Sequence, residues 1–213
     1  GFALATHDLE IRGAGELLGE EQSGQMNTVG FSLYMELLES AVEALKEGRE
    51  PSLEDLTNQQ TEIELRMPAL LPDDYIPDVN VRLSFYKRIA SAIDLTELND
   101  LRAELIDRFG KLPDAGRYLL RNAAIRLNAM SLGITRIEAH DKGGFIEFGE
   151  KNKVDPGYLI SLLQEQPAIF RLDGPSKLKF ITDLTEREKR LTFIDNMLSC
   201  LLYTSDAADD SLR

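Results

Sequence analysis

The chain has 213 residues, with 24 Lys+Arg against 37 Asp+Glu, a formal charge of −13 and a pI near 4.7. At 43% hydrophobic and 29% charged it holds enough apolar mass for a core and lies outside the disordered class. Its acidity argues against a freestanding nucleic-acid coat, which needs clustered Lys and Arg, and its single cysteine and two histidines exclude a disulfide framework, a thiolate cluster and a His-rich metal site.

Residues 1–25 carry Gly13, Gly15, Gly19 and Gly24, so a helix-compatible lead gives way to a structured, glycine-rich loop. An amphipathic helix is expected from Phe31 to Lys46. Tyr34, Leu37, Leu38, Ala41 and Leu45 form its apolar face, and Gly48 sits at C′. Residues 49–59 are polar and read as a linker. The segment TEIELRMP alternates Ile63, Leu65 and Met67 with charged residues, the pattern of a half-buried strand.

Three helices are expected next. The first covers Val79 to Ala92 on Leu83, Tyr86, Ala90 and Ile93. The second is Thr96–Phe109, with Asp94 and Glu97 as a capping pattern and Gly110 as its stop. The third opens with Pro113 and ends at Gly133. The remainder is strand-rich. ITRIEAH and GFIEFGE flank Asp141-Lys142-Gly143-Gly144 as a hairpin, and IFRLD and KLKFI flank Gly174-Pro175 as another. Between them a short helix has Asp155 as N-cap and Pro156 at N1. A last helix is expected from Thr185, boxed by Glu188, to about Leu198. Mixed rather than strictly alternating elements give an α+β class: a helix, loop and linker helix, then a compact domain with several helices and short antiparallel hairpins. The tail SCLLYTSDAADDSLR shows no helix period and is similar to translated adapter read-through; residues 199–213, Cys200 included, are expected to be non-native, the alternative being a genuine frayed C-terminus.

No apolar run approaches the roughly 20 residues that span a bilayer, and no signal peptide opens the chain, so the expected compartment is the cytoplasm and no membrane partner is expected. No phosphate-binding loop or nucleophile elbow is present. His7-Asp8, His140-Asp141, Asp73-Asp74 and Glu20-Glu21 read as solvated or turn residues; no catalytic or metal-binding constellation stands out. The helix at Thr96–Phe109 is different. Glu97, Asp100, Glu104 and Asp107 recur at helical spacing as one acidic stripe projecting to solvent, while Leu98, Leu101, Leu105 and Phe109 face the core. A solvated face is the ordinary explanation of such a stripe.

The segment DLEIRGAGELLGEEQSG is denser in signal. Its acidic-apolar lead, Arg12-Gly13, Gly15-Glu16-Leu17-Leu18-Gly19, Gln22 and Gly24 closely resemble the translocation motif shared by the RecG branch-migration helicases and the transcription-repair coupling factors. GFSLYMELLESAVEALKEGREPSLEDL, LRMPALLPDDYIPDVNVRLSFYKRIA, AELIDRFGKLPD, GGFIEFGEKN and FRLDGP are similar to the coupling factors alone, so that the resemblance covers about residues 1–198. It implies a translocation motif at 1–25, an amphipathic helix and linker at 26–59, and a C-terminal coupling-factor domain at 60–198.

The family resemblance further implies a cytoplasmic ATP-dependent translocase on double-stranded DNA. Such a machine displaces stalled RNA polymerase and recruits excision repair through the damage-recognition ATPase UvrA. ATP and Mg²⁺ would belong to motor lobes that these residues do not include, so no cofactor and no ATP hydrolysis are expected here. Arg12 and Gln22 match the family's coupling residues, in a loop shaped by Gly13, Gly15, Glu16 and Gly19. Glu104 and Asp107, with Glu97 and Asp100 beside them, match acidic positions expected to dock on the intramolecular UvrA-binding module and mask it. The alternative is a freestanding acidic protein-interaction domain with no motor role.

Overall fold

A computed structural model of the chain describes Gly48 and residues 61–210, with side chains as far as Leu202. The readings for the translocation segment, including Arg12, Gly13, Gly15, Glu16, Gly19 and Gln22, for the helix from Phe31 and for the linker lie outside the described residues. Gly48 itself has φ +73°, the left-handed backbone that a C′ glycine adopts. The described residues hold five helices and a five-stranded mixed sheet, an α+β fold. They divide into two compact units, one around Met67–Ala123 and one combining 61–66 with 124–210.

The first unit contains α1 (Val79–Ala90), α2 (Leu95–Phe109) and the opening turns of α3 (Asp114–Ser131). Capping side chains set where these helices begin. The Asp78 carboxylate accepts from the Asn80 and Val81 amides, at 2.8 and 3.2 Å, and Asp94 accepts from Glu97 at 2.8 Å. Gly110, at φ +85°, ends α2 as the sequence indicates. The α1 face differs from the expected one. Phe85, Tyr86 and Ile89 are buried, and Ile93 is 82% exposed. Ser91 closes α1 by bonding Lys87, so Ile93 falls in the connection to α2 and leaves the helical period. Burial pushes the Tyr86 hydroxyl up to about 12, and that hydroxyl accepts the Leu71 amide at 2.6 Å.

The second unit is built on the sheet β1-β2-β3-β5-β4. Its strands are β1 (Glu62–Glu64), β2 (Ile134–His140), β3 (Gly143–Phe148), β4 (Phe170–Leu172) and β5 (Lys177–Ile181). β1 runs parallel to β2, and the other pairs are antiparallel. Two more helices belong here, α4 (Pro156–Glu165) and α5 (Arg187–Asp210). The pleat sorts the side chains. Ile137, Ile146 and Leu178 align across three strands on the buried face. Arg136, Glu147 and Lys177 align on the other. α5 contributes Phe193, whose ring lies 5.0 Å from that of Phe180 and 6.2 Å from that of Phe170.

Both hairpins and the Asp155–Pro156 helix start are present, with His140 serving its turn by accepting the Lys142 amide. Two expectations are corrected. The strand after Gln60 stops at Glu64, because Arg66 takes φ +50° and turns the chain before Met67. α5 starts at Arg187 rather than Thr185, whose amide and hydroxyl both bond Asp183, and it runs to Asp210 rather than to Leu198. Leu198 and Leu201 extend the buried stripe of Leu191 and Ile194, and neither Gly nor Pro interrupts residues 187–210. The helical period therefore continues through the first part of the SCLLYTSDAADDSLR tail.

Candidate functional site

Among the described residues no group of His, Cys, Asp or Glu could hold a metal ion, and no helix is long and apolar enough to cross a membrane. The charged face of α2 carries the candidate site. Leu98, Leu101 and Leu105 are buried, and they fix the rotation of the helix about its axis. The positions of Glu97, Asp100, Glu104 and Asp107 relative to solvent follow from that rotation. Phe109 is half-buried at the end of the same apolar stripe, with its ring edge-on to those of Tyr75 and Phe85.

The four acids are not equivalent. Glu97 is exposed, yet its carboxylate turns back to accept the Ile93 amide at 3.0 Å while its own amide bonds Asp94. It completes the reciprocal capping of α2, one residue further back than the usual box. Asp100 and Asp107 are exposed and make no ion pair among the described residues. Glu104 departs from the expectation that the whole stripe projects freely to solvent. Its side chain is 33% exposed, its Oε2 lies 2.5 Å from Arg88 of α1, and its Oε1 lies 3.6 Å from Arg108, one turn further along α2.

Both cations rest on the same aromatic base. The Arg88 and Arg108 guanidinium groups lie 5.2 and 5.4 Å from the centre of the Phe85 ring, and Arg108 lies 5.0 Å from that of Phe109. Planar guanidinium groups held over rings give up little further freedom when they bond a carboxylate. The Arg88 hydrogen bond above all, with the charges of Arg88 and Arg108, holds the Glu104 carboxyl below its usual range. Its contribution to folding is thus complete above the ordinary carboxylate range and is lost as pH falls through the depressed value. Arg108 was legible as an i+4 partner of Glu104. Arg88 was not, since it reaches Glu104 across a helix pair; its only local signal is the i, i+3 spacing from Phe85.

The face thus combines two carboxylates with no ion pair among the described residues, one capping carboxylate and one carboxylate held by two arginines. It has no nucleophile, no acid–base pair and no metal cage. What such a surface does well is bind a complementary charged surface.

The TRCF domain family matches residues 65–159. The transcription-repair-coupling factor of Escherichia coli (strain K12) is 70% identical over 194 residues, which are 91% of this chain and 17% of that protein. That of Haemophilus influenzae (strain ATCC 51907 / DSM 11121 / KW20 / Rd) is 62% identical over 198 residues, 93% of this chain and 17% of that protein. The chain therefore spans about a sixth of the length of these curated relatives. A solved structure described as the C-terminal domain of transcription-repair coupling factor superposes with a TM-score of 0.61 at 24% identity, covering 70% of this chain and 96% of that one. That likeness establishes the fold. The chain belongs to the transcription-repair coupling factor family.

Proposed function

We propose that this chain is the C-terminal part of an ATP-dependent double-stranded DNA translocase that displaces stalled RNA polymerase and recruits nucleotide excision repair. Within it, the charged face of α2 masks the UvrA-binding module of the same protein until the machine engages. The observation that carries this reading is the placement of Asp100 and Asp107, exposed on a helix whose opposite face is anchored by Leu98, Leu101 and Leu105. Carboxylates held on a helix with no ion pair among the described residues are available to a basic surface, and such a contact is salt-sensitive and reversible. In the full-length protein, Glu104→Ala with Asp107→Ala should expose the masked module and raise UvrA affinity roughly tenfold or more, about 1.4 kcal/mol. Unchanged UvrA affinity would place the masking contact elsewhere.

The translocation segment supplies the second half of the proposal. An arginine offers a planar, permanently charged fork, and a glutamine can both donate and accept, so that each can re-pair as motor lobes close. Five acids surround Arg12 in that segment, which makes it a transmission element rather than an electrostatic DNA anchor. ATP and Mg²⁺ would be held by motor lobes of the longer protein. Arg12→Ala or Gln22→Ala should then abolish displacement of a triplex strand while leaving most ATP turnover in place. Triplex displacement at the wild-type rate in both variants would remove the coupling role and favour an interaction domain with no motor function.

A further inference from the structure

We propose that Arg88 is an internal competitor for Glu104 that sets how readily the masking contact on α2 reopens; this rests on the masking role just assigned to that face. Among the described residues, Glu104 is the only acid of the stripe whose charge is contested from within. Its two carboxylate oxygens are taken by Arg88 at 2.5 Å and Arg108 at 3.6 Å, whereas Asp100 and Asp107 make no ion pair among the described residues. A basic residue approaching Glu104 must displace a guanidinium or share the carboxylate with it, against like-charge repulsion.

The competitor is placed in advance. Arg88 comes from the last turn of α1, on a different helix from the acid it holds, and its guanidinium lies over Phe85 together with that of Arg108. When the partner leaves, Arg88 closes on Glu104 without a search through rotamers, and the open state keeps a satisfied carboxylate. The uncontested acids draw the partner in, while the contested one limits how tightly it stays. Arg88 should therefore act with the opposite sign to the acids, although it belongs to the same surface. Removing an acid opens the contact; removing Arg88 closes it further.

The test uses the full-length protein and its affinity for UvrA. Arg88→Met keeps a long unbranched side chain but loses the charge, and should weaken UvrA binding about two- to fivefold, the scale of one exposed ion pair. Arg88→Lys, which keeps the charge but not the planar fork, should fall between Arg88→Met and wild type. In a Glu104→Ala background the same Arg88→Met change should have no effect, because the contested group is gone. Circular dichroism checks the fold, and Arg88→Gln serves as a polar neutral substitute should Arg88→Met fail to fold. Stronger UvrA binding in the neutral variants would make Arg88 a support of the docking surface and overturn the competitor role; so would unchanged binding. Asp107→Ala separates the masking contact from the competition for Glu104. If Asp107→Ala frees UvrA binding and Arg88→Met changes nothing, the competitor fails and the masking survives. If Asp107→Ala and the double acid variant both leave affinity unchanged, the masking itself fails.

Discussion

Arg190→Met is expected to destabilise the isolated chain by about 3 kcal/mol, from lost charge-assisted hydrogen bonds and stranded carbonyls. For a chain of this length that corresponds to roughly 6–12 °C in thermal midpoint. Arg190 is 5% exposed, and it spends its donors on backbone rather than on a carboxylate. Its Nε bonds the Leu184 carbonyl at 3.0 Å, and its Nη1 bonds the carbonyls of Leu65 and Arg66 at 2.7 and 3.1 Å. Burial lowers its pKa, and the charge of Asp141 partly opposes that, so the desolvation penalty is real and the hydrogen bonds must outweigh it.

The consequence reaches beyond three bonds. Arg66 is the one described non-glycine residue with positive φ, +50°, a conformation that is costly for an L side chain. Its carbonyl is held by Arg190 and its guanidinium by Glu138, at 3.1 Å in each case. Without Arg190 the end of β1 loses the anchor that keeps the turn in place. Arg190→Lys should recover only part of the loss, since an ammonium cannot reach carbonyls on both sides as a planar fork does. Should Arg190→Met melt with wild-type cooperativity at the wild-type temperature, apolar replacement compensates and the staple contributes nothing net.

The same residues show what could be read in advance and what could not. Signals confined to one turn or one hairpin were legible. The Asp94/Glu97 pair, Asp155-Pro156, Gly110 and the Asp141–Gly144 hairpin each act through bonds within a few residues. The end of β1 was illegible because its cause lies 124 residues away in Arg190. The α1 face departs from its sequence pattern because the helix stops at Ser91, which takes Ile93 out of the period. For the candidate site, the acids on α2 followed from helical spacing, whereas the cation that distinguishes Glu104 from its neighbours comes from α1 and needs the tertiary fold to be seen. In α5 the tail's composition obscured a period that Leu198 and Leu201 carry on.

Gly144→Ala tests the second long-range constraint, the close approach of β2 and β3, and should cost about 3 kcal/mol or more, the upper range of overpacking. Gly144 pairs with Ala139 in the register. A Cβ there would lie 1.9 Å from the Glu138 carbonyl oxygen and 2.8 Å from the Ala139 Cα. Both are backbone atoms of the neighbouring strand, so no rotamer change relieves the clash. Either the strands separate or β3 slips against β2, and a one-residue slip would turn Ile146 and Phe148 of β3 away from the core. Gly174→Ala provides the contrast. Gly174 has φ +77° but nothing within 4 Å of an added Cβ, so only backbone strain opposes the change, about 1–2 kcal/mol. Thermal melts of the two variants should therefore separate by several degrees, with Gly144→Ala the lower. Equal losses in the two variants would mean that β2 and β3 give way to the added methyl, so that their close approach is not what requires glycine at Gly144.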